Sequence, residues 1–564
     1  TKMQMLVWLL ETETGDGDEL NLSSGGALFW KEVCQADDYM NKAKQAWRKH
    51  DFARYAKEVA AGADIIVTNH SFLIADMKAD QPLLLPGSFI IIDEAHRFER
   101  AARERLGQML SVADLKFLIG KIGSAEDRRL LYHLNRIESK RLTERSSEKV
   151  MAAASGVLVE AEEWLGVLAA FFERQTSKKS QAKRQQAITE ESRHTAGWQQ
   201  IEYGAERLYN AVSRFVEAVS EKVMPIEDIR KQLSARDELY VDDARLFLDR
   251  CRGWNKRLFE LVFRPDEEEV IWIEGDVRSL SNTLTLRTQP VQPGSLIQSY
   301  LLDQHHVLFT SATLTVEQSF GFFAREMGLV SFDYNKHVIP SPFDYANHCR
   351  VVVPNDVPDV TETDHETYAQ AVADYIIAAA ETAGGRVLVL FTSFDILKKT
   401  HDFIRDTDLL AEYAILAQGI TGGSVARLAK NFRQYDKAIL LGTGALWEGI
   451  DIPGEDLSVL FIVRLPFAPP DDPFVAAKNA QLKREGENAF SAYSLPQAII
   501  RFRQGFGRLI RTESDRGVAV LFDRRVLSSR YGKAFLESIP DVPAKELDIA
   551  GTMELIEKWL PGGK

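Results

Sequence analysis

The chain has 564 residues, 45% of them apolar and 27% charged, a balance that suits several globular domains rather than a fibrous, disordered or membrane-embedded chain. With 69 Lys and Arg against 82 Asp and Glu, its formal net charge of −13 excludes nucleic-acid binding spread over the whole surface, so any strand must lie in a local groove. Cys34, Cys251 and Cys349 stand too far apart for a zinc site, an iron-sulfur cluster or a disulfide framework, and no run reaches membrane-spanning length or forms a signal peptide; a soluble, cytoplasmic protein is expected.

In chain order, short β-branched or leucine-rich runs predict buried parallel strands at Asp64 to Thr68, Ser88 to Ile92, His306 to Ser311, Arg386 to Phe391, Ala438 to Leu441, Leu457 to Val463 and Gly517 to Phe522. Helical stretches separate them, so the fold class is α/β. Open sheets of this kind bind ligands beyond the C-terminal ends of their strands, where polar motifs follow several of these runs. From about Ala101 to Arg264 the pattern turns helical. Ile201, Ala205, Leu208, Val212, Phe215 and Val219 alternate steps of four and three, which predicts a helix packed on another helix within an inserted subdomain. Arg174 to Arg184, with Lys178, Lys179, Lys183 and Arg184, reads as a mobile basic loop in that insertion, weighted toward a solvated linker rather than a DNA contact. After Ile339-Pro340-Ser341-Pro342-Phe343 the α/β pattern resumes, and a second lobe is expected from about Tyr345. The domains expected are thus residues 1–100 and 265–344 as two parts of a first lobe, 101–264 as a helical insertion, and 345–564 as a second lobe.

The motifs follow in the same order. Thr68-Asn69-His70 puts polar side chains at a crevice edge, or else Asn69 or Ser71 caps a helix. Asp93-Glu94-Ala95-His96 directly follows an apolar strand; in nucleotide-driven motors the first carboxylate holds Mg²⁺ against the β- and γ-phosphates and the second orients the attacking water. Thr310-Ser311-Ala312-Thr313-Leu314 ends a strand with hydroxyls able to bond the acidic loop, or to cap a helix at Thr313 or Thr315. Gly442-Thr443-Gly444 with Trp447-Glu448-Gly449-Ile450-Asp451 is a strand-to-helix passage where small residues let amides approach a phosphate. There Asp451 is placed to contact ribose, an arginine or its own loop, and Trp447 either stacks on a base or is buried. In Gln504-Gly505-Phe506-Gly507-Arg508-Leu509-Ile510-Arg511, two arginines three apart share a helical face able to clamp a γ-phosphate, or else pair with Asp515 or Glu513 at the surface.

Together these motifs resemble the superfamily 2 DNA helicases of the DinG/XPD group, in order and spacing and nearly from end to end. Trp8-Leu9 with Glu11 to Asp16, Leu390-Phe391-Thr392-Ser393, Arg464-Leu465-Pro466-Phe467 with Pro469, and Asp523 with Arg525 support the likeness, within the bacterial DinG branch. The resemblance implies two RecA-like parallel-sheet lobes with an arch-like helical insertion in the first, and ATP-driven 5′ to 3′ travel on single-stranded DNA in repair or replication. It implies a monomer using ATP and Mg²⁺ on single strands and DNA junctions. In that scheme Asp93, Glu94, His96, Gln504, Arg508 and Arg511 serve catalysis, and Gly449 and Asp451 join them at the nucleotide. Asn69, His70, Thr392, Ser393, Gly442, Thr443 and Trp447 face the nucleic acid, while Ser311, Ala312 and Thr313 couple the two sites.

The chain departs from the group in two ways. Gly-Lys occurs at Gly120-Lys121, Gly532-Lys533 and Gly563-Lys564, never followed by Ser or Thr, so no phosphate-binding loop is present. A segment before Thr1 is expected to carry it, and the chain as given is expected not to hydrolyse ATP. Many relatives hold a [4Fe-4S] cluster on four cysteines before the acidic motif, where this chain has only Cys34; no cluster is expected, and residues around Asp37 to Phe52 would wedge the duplex instead. Cluster-free relatives in some bacteria carry an upstream exonuclease domain, so the parent is either a helicase or a helicase-like exonuclease. Two rival readings are an ATPase-silent module that binds single strands, and an RNA helicase reading 2′-hydroxyls.

Overall fold

The computed structural model describes residues 2–20, 22, 26, 29–30, 51–79, 82–84, 87–124, 126–141, 147–176, 182–359, 362–407, 412–448, 457–539 and 542–560. The chain folds as two compact units, one made of Thr1–Ile90, Arg100–Pro293 and Ser299–His306, the other of Ile91–Glu99, Gly294–Gln298 and Val307–Lys564. A two-stranded sheet pairs β1 (Phe89–Ile92) with β6 (His306–Phe309). No helix among the described residues is long and apolar enough to cross a membrane.

The first unit is built on three long helices, α1 (Glu148–Thr176), α2 (Ala196–Asp228) and α3 (Ala235–Phe263). The six seam residues of α2, Ile201 to Val219, are each at most 1% exposed and form one core with α1 and α3. Thr195 starts α2 by accepting the Trp198 N–H, and Ser234 starts α3 by accepting that of Asp237, each satisfying a backbone donor the first turn leaves open. Beside the helices lies an antiparallel sheet in the order β2 (Met109–Ser111), β5 (Thr285–Pro290), β4 (Glu269–Asp276), β3 (Lys183–Ala187). The expected basic loop is corrected here: Lys183 and Arg184 stand in β3 opposite Asp276 and Gly275, and Arg184 Nη1 donates to the Thr176 carbonyl at 3.1 Å. Lys178 and Lys179 lie outside the described residues.

Asp64 to Thr68 is not a strand. Ile65 and Val67 are 81% and 92% exposed; β-branched side chains favour a strand only where a neighbour supplies a ladder and a face, and no described strand pairs with this run.

The second unit is dominated by a seven-stranded parallel sheet in the order β13 (Ala544–Leu547), β7 (Cys349–Pro354), β12 (Gly517–Phe522), β11 (Val459–Val463), β8 (Val387–Phe391), β10 (Ala438–Gly442), β9 (Ala414–Ala417). Both faces are covered, so the central strands are apolar at every position. Along β8, Val387, Val389 and Phe391 enter one core while Leu388 and Leu390 enter the other, as the two-residue period requires. The helix α4 (His365–Ala383), capped by Asp364 and closed by Gly384 at φ +68°, buries Tyr368, Val372 and Ile376 on the first face. The other face carries Ile499, Phe502 and Phe506 of a helix at Leu495–Phe506. Two of the helices between these in sequence are labelled α5 (Phe394–Arg405) and α6 (Pro473–Arg484), and Leu495–Phe506 is labelled α7.

Candidate functional site

β1 ends at Ile92, whose carbonyl accepts the Thr310 N–H at 2.9 Å; the Thr310 carbonyl in turn accepts the Ala95 N–H at 3.0 Å. Ala95 and Phe98 are fully buried, so the turn between them and β1 is anchored at both ends while Asp93 and Glu94 stay exposed. Glu94 takes φ +48° and ψ +42°, a left-handed conformation costing a non-glycine residue on the order of 1 kcal/mol, the kind of strain that gathers at functional turns. One Asp93 oxygen accepts the Glu94 N–H at 2.9 Å. Carboxylate oxygens are the donors a hard divalent cation takes, so the residues present fit Mg²⁺. The His96 ring is largely buried, with Nδ1 2.7 Å from Ser311 Oγ and 3.3 Å from Glu94 Oε2.

The loop after β6 meets α7. Ser311 Oγ accepts the Thr313 N–H at 3.2 Å, and Gln504 Nε2 donates to Thr313 Oγ1 at 3.4 Å. Neither Thr313 nor Thr315 starts a helix; the next helix begins at Gly321. Arg503, absent from the sequence reasoning, donates from Nη1 to the Thr315 carbonyl at 2.8 Å and from Nη2 to the Ala312 carbonyl at 3.3 Å. Burial pushes its pKa down, and Tyr345 opposes the shift. A polar residue next to Gln504 gave no periodic signal; both reach the loop because the end of α7 abuts it. A hydrogen bond from a charged donor contributes about 1.5–3 kcal/mol, so Arg503→Met is expected to destabilise the second unit by about that much. Arg503→Lys, which keeps the charge and one donor, should recover part of that loss, both read by denaturant titration.

At the ends of the central strands, Thr392 and Ser393 follow β8, and Ser393 precedes α5 without a side-chain capping bond. Gly442 closes β10; a Cβ there would fall 1.5 Å from Leu446 Cδ1, so glycine is required by packing. The Thr443 N–H donates to Gln418 Oε1 at 2.9 Å. Trp447 is fully buried, donates from Nε1 to the Phe391 carbonyl at 2.9 Å and lies under the Arg501 guanidinium at 5.2 Å, so in this arrangement it offers no face to a base. A Cβ on Gly505 would come within 2.7 Å of that ring, which gives this motif glycine its reason.

α7 stops at Phe506, so the expected helical face is corrected: Arg508 and Arg511 leave on a turn. Arg508 Nη2 donates to the Trp447 carbonyl at 3.1 Å. Arg511 is exposed, and Asp515 is turned to the backbone, accepting the N–H groups of Arg511 and Thr512 at 2.7 and 2.8 Å. Asn69 caps the helix His70–Met77 by accepting the Phe72 N–H at 2.8 Å, with His70 as its first residue. Gly449 and Asp451 lie outside the described residues, as do Cys34 and residues 37–50. Asp523 and Arg525 form a bidentate pair, and Asp523 Oδ2 also accepts the Leu465 N–H at 2.8 Å, tying the ends of β12 and β11 together.

A family described as "Helicase C-terminal domain" matches residues 376–542. Along its whole length the chain is 34% identical to the 3′-5′ exonuclease DinG of Bacillus subtilis strain 168, covering 60% of that protein. It is 27% identical to the protein of the same name from Staphylococcus epidermidis, with 95% of this chain and 56% of the relative aligned. The chain therefore spans about three fifths of these relatives' length. A solved structure titled XPD helicase superposes with a TM-score of 0.52 at 16% identity, over 96% of this chain and 84% of the other. The fold is that of a two-lobed RecA-like helicase.

Proposed function

From the premise that this chain is of the DinG/XPD type, related to DinG proteins from end to end, we propose that it is the helicase portion of an ATP-dependent DNA motor that travels on single strands and opens duplexes. The observation that carries this reading is a bonded path inside the second unit. It runs from Glu94 through His96 to Ser311, and from the Ala312 to Thr315 stretch to Arg503 and Gln504. A nucleotide at the acidic loop can thus be felt at α7, the helix that leads to Arg508 and Arg511.

In this reading Asp93 would hold Mg²⁺, which would neutralise phosphate charge, and Glu94 would orient the attacking water. Arg508 and Arg511 would meet the γ-phosphate, with Gly449 and Asp451 beside the nucleotide. Thr392, Ser393, Gly442 and Thr443 line strand ends suited to gripping a phosphate backbone without reading its sequence, and Asn69 and His70 supply a further contact. The domains are a first lobe in two parts, 1–100 and 265–344, a helical insertion, 101–264, and a second lobe, 345–564. The protein works as a cytoplasmic monomer on single strands and junctions.

Phosphate contacts release counterions, so log affinity for an oligothymidylate should fall linearly with log salt, with a slope of about −0.7 for each phosphate neutralised. Binding that ignores salt, or that prefers RNA of the same sequence, overturns the DNA-motor reading. A second reading, the helicase-like part of an exonuclease, is favoured by the 34% identical relative's being named a 3′-5′ exonuclease. Degradation of a 3′-labelled strand by the full gene product, and not by this chain, would support it.

A further inference from the structure

A second polar cluster lies inside the second unit, away from the acidic loop. Lys478 on α6 is 3% exposed, and its Nζ stands 3.0 Å from Oε2 of Glu326, which is 5% exposed. Glu99, 7% exposed and three residues beyond His96, adds its negative charge to the Glu326 site. Burial pushes the Glu326 carboxyl up, Lys478 opposes that shift and Glu99 reinforces it. On the outer side, Arg325 Nε is 3.5 Å from Glu326 Oε1 and its Nη1 is 3.1 Å from Glu487 Oε2. The Lys478 ammonium also lies over the Tyr493 ring at 5.5 Å.

A buried ion pair is a poor source of stability, because apolar residues of the same volume commonly do as well; its best-attested use is to hold one register against others. Three stretches of chain are coupled here: two meet in the pair, and Glu99 on the third acts on it through its charge. Glu99 follows the acidic loop, Glu326 ends the helix Gly321–Glu326 that follows the Ser311 to Thr315 loop, and Lys478 lies on α6. From α6 the chain passes through the π-helical turn Phe490–Ser494, which contains Tyr493, straight into α7 with Arg503 and Gln504. The cluster therefore ties together, a second time, the same three pieces that the path from Glu94 to Gln504 joins. An apolar contact would let these pieces slide. A charge pair closed to water does not, since separating it leaves an uncompensated buried charge.

We propose that Lys478 is a positioning residue: paired with Glu326 beside Glu99, it holds the acidic turn, the Ser311 to Thr315 loop and α7 in the one register where His96 meets Ser311 and Gln504 meets Thr313. The role deepens the motor reading and rests on it for its purpose, whereas the register itself needs neither nucleotide nor strand. It is tested by hydrogen exchange on the whole chain with no ligand added. In Lys478→Met, the amides of Ala95, Thr310 and Thr313 are expected to exchange at least about tenfold faster, while those in the middle of α2 keep their rates as the control for folding. Glu326→Gln, a milder change, should move the same amides in the same direction, and Glu326→Lys combined with Lys478→Glu should restore them. Unchanged protection of these amides in both single variants, or a charge-exchanged protein no better than Lys478→Met, overturns the proposal. Failure of strand or nucleotide binding in the unaltered protein would instead sink the motor reading and leave this result standing.

Discussion

Glu94→Gln in the full gene product is expected to lower strand-stimulated ATP hydrolysis by about 10²–10⁴-fold, the range by which a positioned base or water-orienting group contributes. The side chain is isosteric, stands in the same left-handed turn and keeps an oxygen for His96, so the turn anchored by Ala95 and Phe98 has no reason to move. What is lost is the negative charge that, in the motor reading, aligns the water. Single-strand affinity, which that reading assigns to strand ends elsewhere, should therefore stay within about twofold. Steady-state hydrolysis with and without an oligonucleotide, alongside anisotropy, reads both quantities. Hydrolysis that survives the change would remove Glu94 from the chemistry and with it the main support for a nucleotide-driven motor.

Trp447→Ala is expected to destabilise the second unit by about 3–5 kcal/mol, the cost of emptying a fully buried aromatic site. The ring is completely enclosed, its Nε1 donor satisfies the Phe391 carbonyl at the end of β8, and it packs on Gly505. Removing it opens a cavity and unpairs a buried acceptor. It also disturbs the backbone that holds Arg508, whose Nη2 bonds the Trp447 carbonyl. A denaturant titration followed by circular dichroism should show the lowered midpoint with little change in slope. Trp447→Phe keeps most of the volume and should leave strand affinity within about twofold, because a ring closed to solvent cannot stack on a base. A loss of strand affinity above about tenfold in a stably folded Trp447→Phe protein would show that the ring swings out to meet nucleic acid.

The parts of the molecule that were legible share one property: their signal lies within a few residues. Apolar runs at Arg386 to Phe391, Ala438 to Leu441, Leu457 to Val463 and Gly517 to Phe522 are strands of the seven-stranded sheet, because strands buried on both faces are apolar at every position. The seam from Ile201 to Val219 announced its helix pairing through its spacing alone. Edge strands such as Ala544–Leu547, and the antiparallel sheet beside α1 to α3, escaped notice because short, half-polar strands carry little pattern. Composition misled at Asp64 to Thr68, where strand-forming residues have no described strand beside them.

From its residues alone this protein fixes which segments become strands and helices, and which carboxylates, hydroxyls and guanidiniums stand at their ends. Folding decided what those groups meet: that His96 reaches Ser311 across 215 positions, that Arg503 serves the same loop as Gln504, and that Trp447 is sealed inside rather than offered to a base. The physical reason is range. Backbone preference and periodicity act between covalent neighbours, whereas burial and partner choice depend on packing between stretches of chain that no local pattern relates.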